Sequence, residues 1–133
     1  MKKFIFPFLI LLSFLSNAQV KTISETEFYS KFVDESGYFI NSKAIVIEFY
    51  TDDCDTCQKM FPVFEKVAKK YSHLYDFYKV NIDHVKDMLK DFKIEGIPKF
   101  VFVPADKKGN GLSFYYFTGL ITEEELITLF DDE

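Results

Sequence analysis

Tryptophan is missing from this 133-residue chain, cysteine occurs only at positions 54 and 57, and histidine only at 73 and 84. So few soft ligands argue against a structural zinc site. Such a site pairs one Cys-x-x-Cys with a second ligand pair, and His73 and His84 have no zinc-type spacing to the cysteines. Both histidines read as surface residues, and no metal site is expected. A net positive charge is missing too, since the formal charge is −5. That balance argues against nucleic acid or an anionic membrane surface as the main partner. No internal repeat, low-complexity run or linker divides the sequence. Its length and 48% hydrophobic content allow one domain with a core of its own. Without tryptophan, the 17 Phe and 8 Tyr supply the aromatic bulk of that core.

What is present begins with a leader-like N-terminus. Met1-Lys2-Lys3 is a positive n-region, residues 4–15 are nearly all apolar, and Ser16-Asn17-Ala18 puts small residues at −3 and −1 of a cleavage before Gln19. This is the pattern of a secretory signal peptide. The competing reading is an uncleaved membrane anchor. The apolar stretch is short against the ~20 residues of a spanning helix and contains Pro7, so cleavage is favoured. The expected division is a signal peptide over 1–18 and one domain over 19–133, periplasmic or secreted. No cysteine lies near the cleavage site to carry a lipid. Cleavage removes two lysines and no acids, taking the charge from −5 to −7.

The two cysteines form Cys54-Asp55-Thr56-Cys57, between an apolar run at 44–50 and a helix-like stretch at 58–71. Cys54 then lies near a helix N-terminus, where free N–H groups and the helix dipole favour a thiolate. Cys57 follows one turn later, close enough to close a disulfide or to resolve a mixed one. Export permits a structural disulfide. But a bridge across so short a gap restrains little of the unfolded chain, because loop-closure stabilisation grows with loop length. A working dithiol explains the pair better.

Taken in order, 19–23 reads as a short edge strand. Ser24 with Glu27 is a capping-box signature, and Phe28, Phe32 and Val33 recur at helical spacing, so a helix is expected over 24–35. The run 44–50 is β-branched and does not alternate, as in a strand buried on both faces. Glu48 is its exception. From about Thr56 a long helix carries Met60, Phe64, Val67 and Tyr71 on one face, kinked by Pro62. A strand over 76–82, an amphipathic helix over 83–92 and a strand over 99–103 follow. The turn signal at 107–111 leads into a strand over 112–117, and Thr122 with Glu125 opens a last helix. Asp131, Asp132 and Glu133 follow at the end of that helix where negative charge is unfavourable, so fraying is expected there. The order is βαβαβαββα. Its alternating part implies parallel strands with crossover helices, and the glycine turn implies a closing antiparallel hairpin.

Separated motifs in register make the sequence resemble the thioredoxin family over about 20–131. The cysteine pair sits between strand and helix, with Pro62 five residues after Cys57. Ile97-Pro98 matches the loop whose proline is cis in that family. Gly119 matches the glycine after the last strand. Glu48, six residues before Cys54, matches a buried acid, and Lys79 matches the lysine beside it. The resemblance implies an α/β thioredoxin fold, with a central mixed sheet flanked by helices. Cys54 would be the nucleophile and Cys57 the resolving thiol. Glu48, its pKa raised by burial, would take the proton of Cys57 through water. The bland alternative for Glu48 is a solvent-facing acid or a simple pair with Lys79. Ile97, Pro98 and Gly119 would meet substrate beside the dithiol, against the alternative of tight turns alone.

The sequence also departs from the family. Asp53 stands where thioredoxins commonly carry Trp, and Asp55-Thr56 where they carry Gly-Pro. Asp52, Asp53 and Asp55 crowd Cys54, and negative neighbours oppose a thiolate. A weakly oxidising pair, suited to reduction, is the expectation. The expected function is an exported thiol–disulfide oxidoreductase that reduces or isomerises protein disulfides. Its partners would be disulfide-bonded proteins and a membrane dithiol electron donor; a monomer with no cofactor is expected. Two readings from other classes stand beside it. One is a Cu(I) carrier using the dithiol, with Met60 as the nearest extra soft ligand. The other is a redox-inert binding module on the same fold.

Overall fold

The apolar run at 45–50 becomes the strand on which the sheet is built. In the computed structural model, which describes residues 19–105 and 113–130, every residue of this strand is buried. The elements are β1 (Val20–Thr22), α1 (Glu25–Phe32), β2 (Ile45–Tyr50), α2 (Asp55–Tyr71), β3 (Asp76–Asn81), α3 (Asp87–Asp91), β4 (Lys99–Val103), β5 (Tyr115–Thr118) and α4 (Glu123–Thr128), with a 3-10 turn at Ile82–His84. This is the order read from the sequence. The expected leader over 1–18, the expected turn at 107–111 and the fraying expected at 131–133 fall outside the described residues.

The five strands lie in the order β1-β3-β2-β4-β5. β1, β3 and β2 are parallel, while β4 runs antiparallel to β2, and β5 antiparallel to β4. The fourth strand therefore reverses the parallel direction expected from strict alternation. Residues 82–98, with the five-residue α3 among them, do not carry the chain back along β3. The chain re-enters the sheet from the end where β3 stopped.

Side-chain alternation splits the core in two. Val46, Phe77, Phe100 and Phe102 face Met60, Phe64 and Val67 of α2 and Leu126 of α4. Ile45, Ile47, Phe49 and Val101 face Phe28 and Phe32 of α1 and Met88 of α3. Phenylalanines make the joints: Phe28 touches the rings of Phe32, Phe39 and Phe92, and Phe130 those of Tyr71, Tyr75, Phe77 and Phe102.

The Thr122 box closes fully around α4, but at α1 only the bond from the Glu27 N–H to the Ser24 hydroxyl forms. α1 also stops short of the expected 35. The Asp34 carboxylate accepts the Ser36 and Tyr38 N–H groups, each at 2.9 Å, and this local turn replaces the helix. Likewise the helix expected over 83–92 begins only at Asp87, after the Asn81 side chain has capped the 3-10 turn.

Glu25 explains why so short a helix as α3 holds. Its carboxylate accepts the Lys86 N–H at 3.0 Å and the Met88 N–H at 2.8 Å, reaching across from the first turn of α1. One acid thus serves two helix N-termini. Glu25→Ala is expected to lower the unfolding free energy by about 2 kcal/mol, the cost of a lost cap plus a buried unsatisfied donor. Urea unfolding reads the loss, and amide exchange should accelerate at Lys86 and Met88 first. Unchanged exchange there would show that α3 does not depend on this cap.

Candidate active site

Cys54 is the N-cap of α2, and its extended backbone (φ −92°, ψ 106°) turns the chain from strand to helix. Its sulfur takes the place of a capping oxygen, accepting the Cys57 N–H at 3.1 Å. The Thr56 hydroxyl stands 3.3 Å from the same sulfur. Cys54 is half-buried, whereas Cys57, which starts the buried stripe Cys57, Met60, Phe64 and Val67, is 0% exposed. The two form a disulfide with a Cα–Cα distance of 5.2 Å. One sulfur can be approached and the other cannot.

The three aspartates expected around Cys54 are all exposed. Asp52 is tied down: its carboxylate accepts from Asn81 Nδ2 at 3.2 Å, and its carbonyl accepts from Gln58 Nε2 at 3.2 Å. This joins the loop before Cys54 to the end of β3 and to α2. Asp55, in the first turn of α2, also answers the helix dipole.

Glu48 does not face solvent. It is 0% exposed on the α2 side of the sheet, and neither carboxylate oxygen has a hydrogen-bond partner. Burial pushes its pKa up to about 8, against a smaller pull downward from the Lys79 charge, while Glu65 adds a push upward. Lys79 is its register partner on β3. Burial, then Asp52 and Glu48, raise the Tyr50 hydroxyl as well.

The register brings the second loop to the same end of the sheet. Phe49 pairs with Lys99, so Pro98 sits at the end of β2 from which the chain leaves toward Cys54. The Ile97–Pro98 bond is cis. Ile97 is half-buried and Pro98 buried. Gly119 follows β5, and its N–H donates to the Pro98 carbonyl at 2.8 Å, which joins two of the sequence-derived positions directly. Gly119 has φ +100°, a conformation that favours glycine. At Gly96 a Cβ would meet Thr118 Cγ2 at 3.2 Å, so the loop lies tight on β5.

Sequence reasoning passed over Lys99. It is buried, and its Nζ donates to the Phe92 and Lys93 carbonyls at 2.8 Å each, while standing 3.9 Å over the Tyr116 ring. It braces the end of α3 and the loop leading to Pro98. A lysine opening an otherwise apolar strand was the available signal. Met60, the soft ligand nearest the dithiol, is packed in the core at 2% exposure. Among the described residues, no group of three or more His, Cys, Asp or Glu could hold a metal ion.

Comparison with known proteins points one way. The family model described as Thioredoxin matches residues 19–131. Thioredoxin of Borreliella burgdorferi is 35% identical over 75 residues, 56% of this chain and 64% of that protein. The chloroplastic thioredoxin-like protein HCF164 of Oryza sativa subsp. japonica is 40% identical over 72 residues, 53% of this chain and 27% of that protein. The match thus spans under two thirds of the first relative and about a quarter of the second. The crystal structure of chloroplastic thioredoxin z superposes with a TM-score of 0.66 at 18% identity, over 83% of this chain and 89% of that one. At that identity the likeness concerns the fold.

Proposed function

Because this chain belongs to the thioredoxin family, we propose that it is an exported thiol–disulfide oxidoreductase that reduces or isomerises disulfides in other proteins. The observation that carries the proposal is the asymmetry of the sulfur pair. Cys54 is approachable and caps a 17-residue helix, while Cys57 is sealed behind it.

The chemistry follows from that asymmetry. In the reduced protein the Cys54 thiolate, favoured by the Cys57 N–H, the helix dipole and the Thr56 hydroxyl, attacks one sulfur of a substrate disulfide. A Cys54–substrate bond forms, the substrate bond breaks, and one substrate thiolate leaves and takes a proton. Cys57 then loses its proton, through water, to the fraction of Glu48 that is ionised, and attacks Cys54 Sγ. The Cys54–Cys57 bond forms and the second substrate thiol is released. Two electrons have passed to the substrate, and a membrane dithiol relay would return them. The Ile97–Pro98 loop, at the same sheet end, supplies an extended edge for substrate backbone. The aspartates around Cys54 oppose its thiolate and favour the reducing direction. The leader-like residues 1–18 support export.

Trapping tests this directly. Cys57→Ser, expressed with its leader in a bacterial host, is expected to accumulate mixed disulfides through Cys54 in the periplasm, because the resolving thiol is gone. Diagonal electrophoresis before and after reduction would display them. No trapped species, or trapping confined to the cytoplasm, would overturn the activity or the export respectively.

A further inference from the structure

Among the described residues no carboxylate lies within 4 Å of the Lys79 ammonium; the ion pairs at that range involve Lys43, Lys66 and Lys70. Yet Glu48 is the register partner of Lys79 on the adjacent strand, and alternation puts both on the α2 side of the sheet, with Val46 and Phe77. The Lys79 Nζ instead stands 5.2 Å from the Phe61 ring centroid and 5.8 Å from that of Tyr50. Those two rings meet edge to face, 5.2 Å apart at 85°. They form a corner, and the ammonium lies within the ~6 Å over which a ring quadrupole attracts a cation.

We propose that Tyr50 and Phe61 are positioning residues whose ring corner holds the Lys79 ammonium off Glu48, leaving that buried carboxyl unpaired and able to exchange a proton with Cys57. The catalytic consequence rests on the role given to Glu48 under the proposed function, while the clamp itself can be tested without turnover. A lysine stem is long enough to reach its cross-strand neighbour. A buried carboxylate with no hydrogen bond would draw it in unless something competed. If the ammonium closed on Glu48, the pair would stabilise the charged form. The acid would then stay ionised through neutral pH and could not hold and return a proton. Held at the rings, Lys79 only moderates the effect of burial. The other groups facing Glu48 are Glu65 on α2, one turn after Phe61, and Tyr50 on its own strand, while β4 presents Phe100.

The test is a carbon-13 titration of the Glu48 side-chain carboxyl in the oxidised full chain. Phe61→Leu keeps apolar bulk and removes the ring. Its Glu48 midpoint is expected to fall by about one pH unit, tenfold in the dissociation constant, and Tyr50→Leu should act in the same direction. In a Lys79→Met background, Phe61→Leu should move nothing. A midpoint that stays or rises with Lys79 present, or falls equally without it, would overturn the clamp. Should leucine disturb the packing, a pentafluorinated phenylalanine at 61 keeps the shape and reverses the quadrupole. The same fall is then expected, and its failure to appear counts against the proposal. Failure of the clamp would leave disulfide reduction through Cys54 standing, and failure of that activity would leave the titration readable.

Discussion

A Cys54→Ser variant is expected to reduce insulin no faster than dithiothreitol alone. The loss should be on the order of a hundredfold or more, because an alcohol at neutral pH is not a competent nucleophile toward sulfur. Cys57 cannot substitute, since it is 0% exposed at the start of the α2 stripe. The replacement is clean for a structural reason. Position 54 is a helix N-cap whose side chain accepts the Cys57 N–H, and serine is among the best residues for that task. The helix should keep its start and the reduced protein its stability, so lost activity reports chemistry and not unfolding. Turbidity from the freed insulin chain reads the rate, and urea unfolding under reducing conditions checks the fold. Wild-type rates in Cys54→Ser would reject catalysis by this pair.

The part of this site legible in the sequence is the part written locally. An acid in an unbroken apolar run marked Glu48, two cysteines before a helical stripe marked Cys54 and Cys57, and Thr122 with Glu125 marked the start of α4. Cys57 and Met60 fell on the buried face because a 3.6-residue period decides it. What depends on distant partners was not legible. The direction of β4 shows only in the pairing of the strands, and the start of α3 is capped by Glu25, sixty-odd residues earlier. The corner of Tyr50 and Phe61 gains its meaning only when Lys79 from a third element is placed against it. The bond from the Gly119 N–H to Pro98 joins positions that sequence could align with a family but not bring into contact. The same limit applies to Lys99, whose carbonyl partners follow α3.

Glu48 should make the protein less stable as pH rises. Burial pushes its carboxyl up to about 8 in the folded chain, from an ordinary value of 4.5. Below about 4.5 both folded and unfolded chains hold the proton, and the acid costs nothing. Between about 4.5 and about 8 the unfolded chain releases it while the folded chain keeps it, so the folded state binds more protons and stability falls with rising pH. Above about 8 both have ionised and the loss is complete. At about 1.4 kcal/mol per pH unit, the loss across this window approaches roughly 5 kcal/mol, a large share of the ~5–15 kcal/mol that holds a domain folded. Glu48→Gln cannot ionise and is close in shape to the protonated acid, so it should remove this slope. Urea unfolding of both oxidised proteins at pH 5, 7 and 9 isolates the effect, because other groups cancel in the difference. The curves should meet near pH 5 and separate by several kcal/mol at pH 9, with the variant the more stable. Parallel curves would mean that Glu48 is not carried neutral into the fold. The same variant should release trapped substrate more slowly, by roughly a hundredfold if Glu48 takes the Cys57 proton. A protein made more stable and slower by one change would locate the cost of catalysis in this buried acid.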